Sequence, residues 1–103
     1  MRKIKVIIKR PDSPPYTTHI SNTLANLQKT VDGPIECVYL ANDLIMVCNE
    51  EGKLRGLESN FRLYGDAIVG TAIFIGTKGE DFVDCPVDLK ELKKALLDIG
   101  TVF

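Results

Sequence analysis

The side chains best equipped for chemistry gather just after a long apolar stretch. Asn49, Glu50, Glu51 and Lys53 crowd into one polar segment, and Asn60, Arg62 and Tyr64 follow it closely. Amides bring donors and acceptors together, and a guanidinium fork suits a carboxylate or a phosphate. Asn49, Glu50, Lys53, Asn60, Arg62 and Tyr64 are therefore the candidate ligand-binding residues. Arg62 and Lys53 would recognise the charge of a small anionic ligand, and Asn49 and Asn60 would orient it. A structural reading competes: Asx side chains in turns commonly satisfy backbone groups, and Arg62 can pair with a surface carboxylate.

Catalysis finds less support. HExxH, GxSxG and P-loop patterns are absent, and Gly76-Thr77-Lys78-Gly79 is too short for a phosphate cradle and reads as a hairpin turn. Glu50 and Glu51 are neighbours, so on a strand they would face opposite ways. His19 is the single histidine, with no carboxylate-rich neighbourhood in sequence, and reads as structural or surface. Cys37, Cys48 and Cys85 are an odd number without CxxC spacing, which points to reduced thiols rather than a disulfide framework or a zinc ribbon. No catalytic residue, metal site or cofactor is expected.

The chain has 103 residues, enough for one domain to bury a core without metal or disulfide staples. Hydrophobic residues make up 45% and charged residues 26%, an ordinary balance for a soluble globular domain. A formal charge of −1 with dispersed lysines and arginines argues against general nucleic-acid binding. No apolar run approaches the roughly 20 residues that cross a bilayer, and the basic N-terminus lacks the apolar core of a signal peptide. No membrane association and a cytoplasmic location are expected.

The elements that must position the polar segment follow from periodicity. Lys3 to Lys9 alternates, with Ile4, Val6 and Ile8 inward and the lysines on a solvated face. Pro11 to Pro15 is a loop, and Tyr16 to Ile20 returns as a short strand. Ser21 or Asn22 caps a helix carrying Leu24, Leu27 and Val31, ended by Asp32-Gly33-Pro34. Ile35 to Leu40 and Leu44 to Cys48 form a hairpin about Asn42-Asp43, the second strand apolar throughout as for an interior strand covered on both faces. A two-residue turn would set Cys37 opposite Cys48, either as two small buried residues or as a reversible disulfide. Asn49 to Gly65 is expected to be a loop held down by Leu57, Phe61 and Leu63. Ala67 to Ile75 reads as a strand interrupted at Gly70, and Asp81 to Val83 as a short one. Asp88 and Glu91 form a D-x-x-E capping box before a helix with Leu89, Leu92, Ala95, Leu96 and Ile99 on one stripe. The fold class expected is α+β: a mostly antiparallel sheet with two helices packed on one face.

The run GPIECVYLANDLIMVCNEEGKLRGLESNFRL, followed by IVGTAIFIGTKGEDFVD, resembles domain of unknown function 3846, a family of short proteins of phages and bacterial mobile elements. Its most specific parts here are Asn49-Glu50-Glu51-Gly52-Lys53, the Asn60 and Arg62 pair, and Ile68-Val69-Gly70-Thr71. The Cys85-Pro86-Val87 entry to the last helix departs from the pattern. The resemblance implies an accessory role inside a bacterial host and brings no catalytic residue. The expected function is a non-enzymatic binder that sequesters a nucleotide-derived host signal, and a homo-oligomer with its pocket between subunits is one form it can take. The alternatives are a protein that blocks a host defence or regulatory protein through a surface, and a small enzyme acting on a nucleotide.

Overall fold

Two strands that are apolar on both faces organise the molecule. The computed structural model describes residues 2–103. In chain order the elements are β1 (Lys3–Lys9), β2 (Tyr16–Ser21), α1 (Leu24–Val31), β3 (Ile35–Ala41), β4 (Leu44–Asn49), β5 (Ser59–Leu63), β6 (Asp66–Val69), β7 (Ala72–Lys78), β8 (Asp81–Val83) and α2 (Leu89–Asp98). The main sheet runs β2-β1-β7-β4-β3, with β8 also on β7, and every pairing is antiparallel. β5 and β6 form a separate hairpin. The class is α+β.

Along β4 and β7 successive side chains enter two different cores. Ile45, Val47, Ile73 and Ile75 join Ile4, Val6 and Ile8 of β1 beneath Leu27 and Val31 of α1. Leu44, Met46, Cys48, Ala72 and Phe74 join Ile7 on the other face, covered by Phe61, Leu63 and Ile68 of the hairpin and by Leu92 and Leu96 of α2. The helices expected on one face therefore lie on opposite faces. The reason is physical: strands apolar at every position need cover on both sides, and an eight-residue helix draws its stability from such packing. Phe61, Phe74 and Phe103 close the α2 side as a trio, with ring centroids 5.1 to 6.1 Å apart.

Local chemistry explains the element ends. Thr23, rather than Ser21 or Asn22, caps α1 by accepting from the Asn26 amide at 3.1 Å. Ser21 is still in β2, and the Asn22 carboxamide donates to the Phe82 carbonyl on β8. Asp32 takes the left-handed conformation that ends the helix. The Asp88–Glu91 capping box of α2 is formed in both directions, at 2.7 and 3.1 Å. The stripe of α2 is narrower than its spacing suggests, because Leu92 and Leu96 are buried whereas Ala95 and Ile99 are exposed.

Three further expectations change. Asn49 to Gly65 is not all loop, since Ser59–Leu63 pairs with β6 across a turn in which Tyr64 and Gly65 both have positive φ. β7 continues through Gly76-Thr77-Lys78, so the turn falls at Gly79 instead. In the central hairpin a bulge at Leu40 slips the ladder by one residue, so Glu36 faces Cys48 and Cys37 faces Val47. Cys37 and Cys48 thus lie on opposite faces of the sheet, which removes the cross-strand disulfide.

Candidate functional site

The polar residues after β4 divide into those that build the chain's own architecture and those that border a cleft. Asn49 is 5% exposed. Its carboxamide donates to the carbonyls of Val31 and Asp32, both at 3.0 Å, and accepts from the Glu51 amide at 2.7 Å. It fastens the end of α1 to the end of β4. Asn60, on β5, accepts from the Lys9 ammonium at 2.9 Å and donates to the carbonyls of Lys9 and Gly70, both at 2.8 Å. Lys9, expected on a solvated face, is 6% exposed, because the β5–β6 hairpin folds over it and the Asn60 carboxamide and the Arg10 carbonyl accept hydrogen bonds from its ammonium. Both asparagines are structural fasteners, as the competing reading of Asx residues held.

The two cations do not converge. Arg62 donates to the Gly65 carbonyl at 2.6 Å across the hairpin turn, and Lys53 pairs with Asp66 at 2.5 Å. That ion pair holds the Asp66 carboxyl below the usual carboxylate range, chiefly through the hydrogen bond from Lys53 and its charge. Tyr64 sits at the tip of the β5–β6 turn with φ of 51° and is exposed. Of the six candidate residues, Asn49, Glu50 and Lys53 border one cavity, and Asn60, Arg62 and Tyr64 stand apart from it.

That cavity is a cleft of about 150 Å³ between the β3–β4 end of the main sheet and β6. Buried Cys48 of β4 forms its floor, and Glu36 and Val38 of β3, Asp66 to Val69 of β6, and Asn49, Glu50, Lys53 and Leu54 line the rest. A typical ligand pocket has about 300–1,000 Å³, so the cleft admits only a small group. Glu36, Glu50 and Asp66 place three carboxylates around it and Lys53 one ammonium, already held by Asp66. Glu36 and Glu50 have no ion-pair partner among the described residues.

The floor is chemically quiet. Burial, and then the negative charge of Glu36, push the Cys48 thiol up to about 11, so it stays protonated at neutral pH and is a poor nucleophile. The Cys37 and Cys85 thiols are also pushed up, chiefly by burial. His19 is exposed on β2, at the opposite edge of the sheet, and can serve the cleft neither as base nor as ligand. Among the described residues no group of three His, Cys, Asp or Glu side chains is placed to hold a metal ion. None of the described helices is long and apolar enough to cross a membrane.

Sequence reasoning missed Glu36 and Asp66. Glu36 looked like one polar residue in an alternating strand, and only the slip at Leu40 turns it onto the face of Cys48. Asp66 read as a strand opener, and only the β5–β6 hairpin carries it to Lys53. No signal local to either residue could have found them. Comparison with curated proteins and with solved structures finds no match. The model of the family described as domain of unknown function (DUF3846) matches residues 4–97, nearly the whole sequence, and the chain belongs to that family.

Proposed function

We propose that the protein is a small non-enzymatic binder, an accessory protein of a phage or mobile element, that captures its target by one positively charged group held in the cleft between β3 and β6. The carrying observation is the cleft's charge: Glu36 and Glu50 have no ion-pair partner among the described residues, and the one ammonium, Lys53, is already paired with the third carboxylate, Asp66. A guanidinium or alkylammonium head matches the sign and fits about 150 Å³. The phosphate of a nucleotide-derived signal, expected from Lys53 and Arg62, fits the cleft poorly, because it would approach Glu36 and Glu50 with no free cation to meet it.

Capture without turnover also accords with the floor of the cleft, where the one thiol is protonated and no histidine is near. Thermal-shift and calorimetric titration with agmatine, spermidine and butylamine, alongside a panel of nucleotides, tests the reading. A ligand at a hundred times its dissociation constant stabilises the folded state by about 2.7 kcal/mol. The expected result is stabilisation by an amine or guanidine, lost in a Glu36→Gln, Glu50→Gln double variant. Stabilisation by nucleotides alone, or by amines equally in the double variant, overturns it.

A further inference from the structure

We propose that the outer edge of β3 is a docking rail for an extended segment of a partner protein, which pairs with it as an added strand and places a Lys or Arg side chain in the adjoining cleft. The inference rests on the cleft accepting a cation and adds the source of that cation.

β3 ends the strand order and pairs only with β4. On its other side, among the described residues, no backbone group bonds to another part of the chain. An unpaired edge is a template for another strand, and chains ordinarily blunt it with lysine, proline or a bulge. From Ile35 to Tyr39 β3 has none of these, and the bulge comes only at Leu40. The regular part therefore offers five residues, about 17 Å of rail at about 3.4 Å per residue. Cys37 and Tyr39 are exposed on one face, with Tyr39 at 72%, so the strand is open on its flank as well as along its edge. Glu36 and Val38 point the other way and line the cleft.

A strand added outside β3 would lie about 4.8 Å from it, with alternate side chains on the cleft face beside Glu36 and Val38. The cleft is thus placed as the specificity pocket of a strand-addition site. Its charge selects the occupant. A second copy of this chain, pairing β3 with β3 about a two-fold axis, would bring two acid-lined clefts side by side on the same face of the joined sheet. A basic segment of another protein meets those carboxylates with opposite charge. The cavity at the other sheet edge, about 260 Å³ beside the Pro14-Pro15 entry to β2, is lined by Lys93, Leu97, Val102 and Phe103 and by no Asp or Glu, so it offers a basic side chain no acidic one to pair with.

The test pans the intact protein against a library of acetylated, amidated seven-residue peptides randomised at every position. Selected peptides are then titrated by fluorescence anisotropy, together with versions N-methylated at alternate residues and versions with Lys or Arg changed to Glu, and β3 is followed by hydrogen exchange. The expected result is enrichment of Lys or Arg at one fixed position, at least tenfold weaker binding on either change, and slowed exchange in β3. No enrichment of a basic position, or equal binding by N-methylated peptides, overturns strand addition while leaving agmatine binding in the cleft intact. A protein that is dimeric by light scattering, with β3 amides already protected, overturns it in favour of a second copy. Failure of both agmatine and the peptides to bind removes the cleft reading itself.

Discussion

Replacing Asn49 with alanine separates a fastener from a ligand-binding group. Its carboxamide makes three hydrogen bonds, to the Val31 and Asp32 carbonyls and from the Glu51 amide. The Asp32 carbonyl also accepts from Arg55, so it is not stranded by the change. The Val31 carbonyl and the Glu51 amide lose the partner that this side chain supplies. Each lost bond is worth about 1 kcal/mol net, and more where the abandoned group stays dry, so Asn49→Ala should destabilise the fold by about 2–3 kcal/mol. With a urea slope of about 1–3 kcal/mol per molar, the midpoint should fall by about 0.7–3 M. Asn49→Asp should cost more at neutral pH. It keeps an acceptor for Glu51 but sets a carboxylate against two carbonyls at the negative end of α1. That carboxyl should titrate above its unfolded value, so the deficit should shrink as pH falls through its folded pKa and the protonated oxygen becomes a donor. Urea unfolding followed by circular dichroism at pH 7 and pH 4 reads both effects. An Asn49→Ala unfolding free energy within about 0.5 kcal/mol of the parent, the range of an ordinary surface substitution, would refute the fastener role and return Asn49 to the candidate ligand-binding residues.

Three other outcomes are expected. Gly76→Ala should destabilise by about 1–3 kcal/mol, because a methyl there would collide with the Asp84 backbone carbonyl and meet Val83, forcing β8 off β7; unchanged hydrogen exchange at Asp81–Val83 would contradict this. Stability should fall as pH rises from about 9 toward 11, since the unfolded Cys48 thiol ionises near 9 while the folded one keeps its proton to about 11. In Cys48→Ala that slope should be shallower, with Cys85 and Cys37 supplying what remains, and an identical slope would show that Cys48 is not the group concerned. Iodoacetamide on the native protein should modify the exposed Cys37 first, with Cys48 and Cys85 reacting only after unfolding; mass spectrometry reads the order, and early Cys48 labelling would mean that its burial is transient.

Much of the scaffold was legible because its signals are local. The unbroken apolar run of β4, the alternation of β1 and the Asp88–Glu91 box each declare their element within a few residues. The sidedness of the helices is not local. It was nevertheless implied, because β4 apolar at every position demands cover on both faces and two helices on one face would leave the other bare. β5 was hidden by its turn, where a tyrosine takes positive φ and no Asn-Gly marks the hairpin. The burial of Lys9 depends on Asn60, 51 residues away, a partnership that no window of sequence displays. The polar segment was legible as a segment, but the partners of its side chains were not. Asn49 and Asn60 satisfy backbone, whereas Glu50 shares the cleft with Glu36 and Asp66, which strand register and hairpin closure bring in from outside the segment.

The extra residue at Leu40 does more than end a regular ladder. Were it paired like its neighbours, β3 would present Cys37 rather than Glu36 above Cys48, and the hollow beside β6 would be walled by two sulfurs. It would then lose one carboxylate, keep Glu50 and the Asp66–Lys53 pair, and gain a second thiol. One amino acid out of step therefore decides whether a carboxylate or a second thiol stands beside Cys48, which makes the hairpin tip the place where an altered sequence would most cheaply change the lining of that hollow.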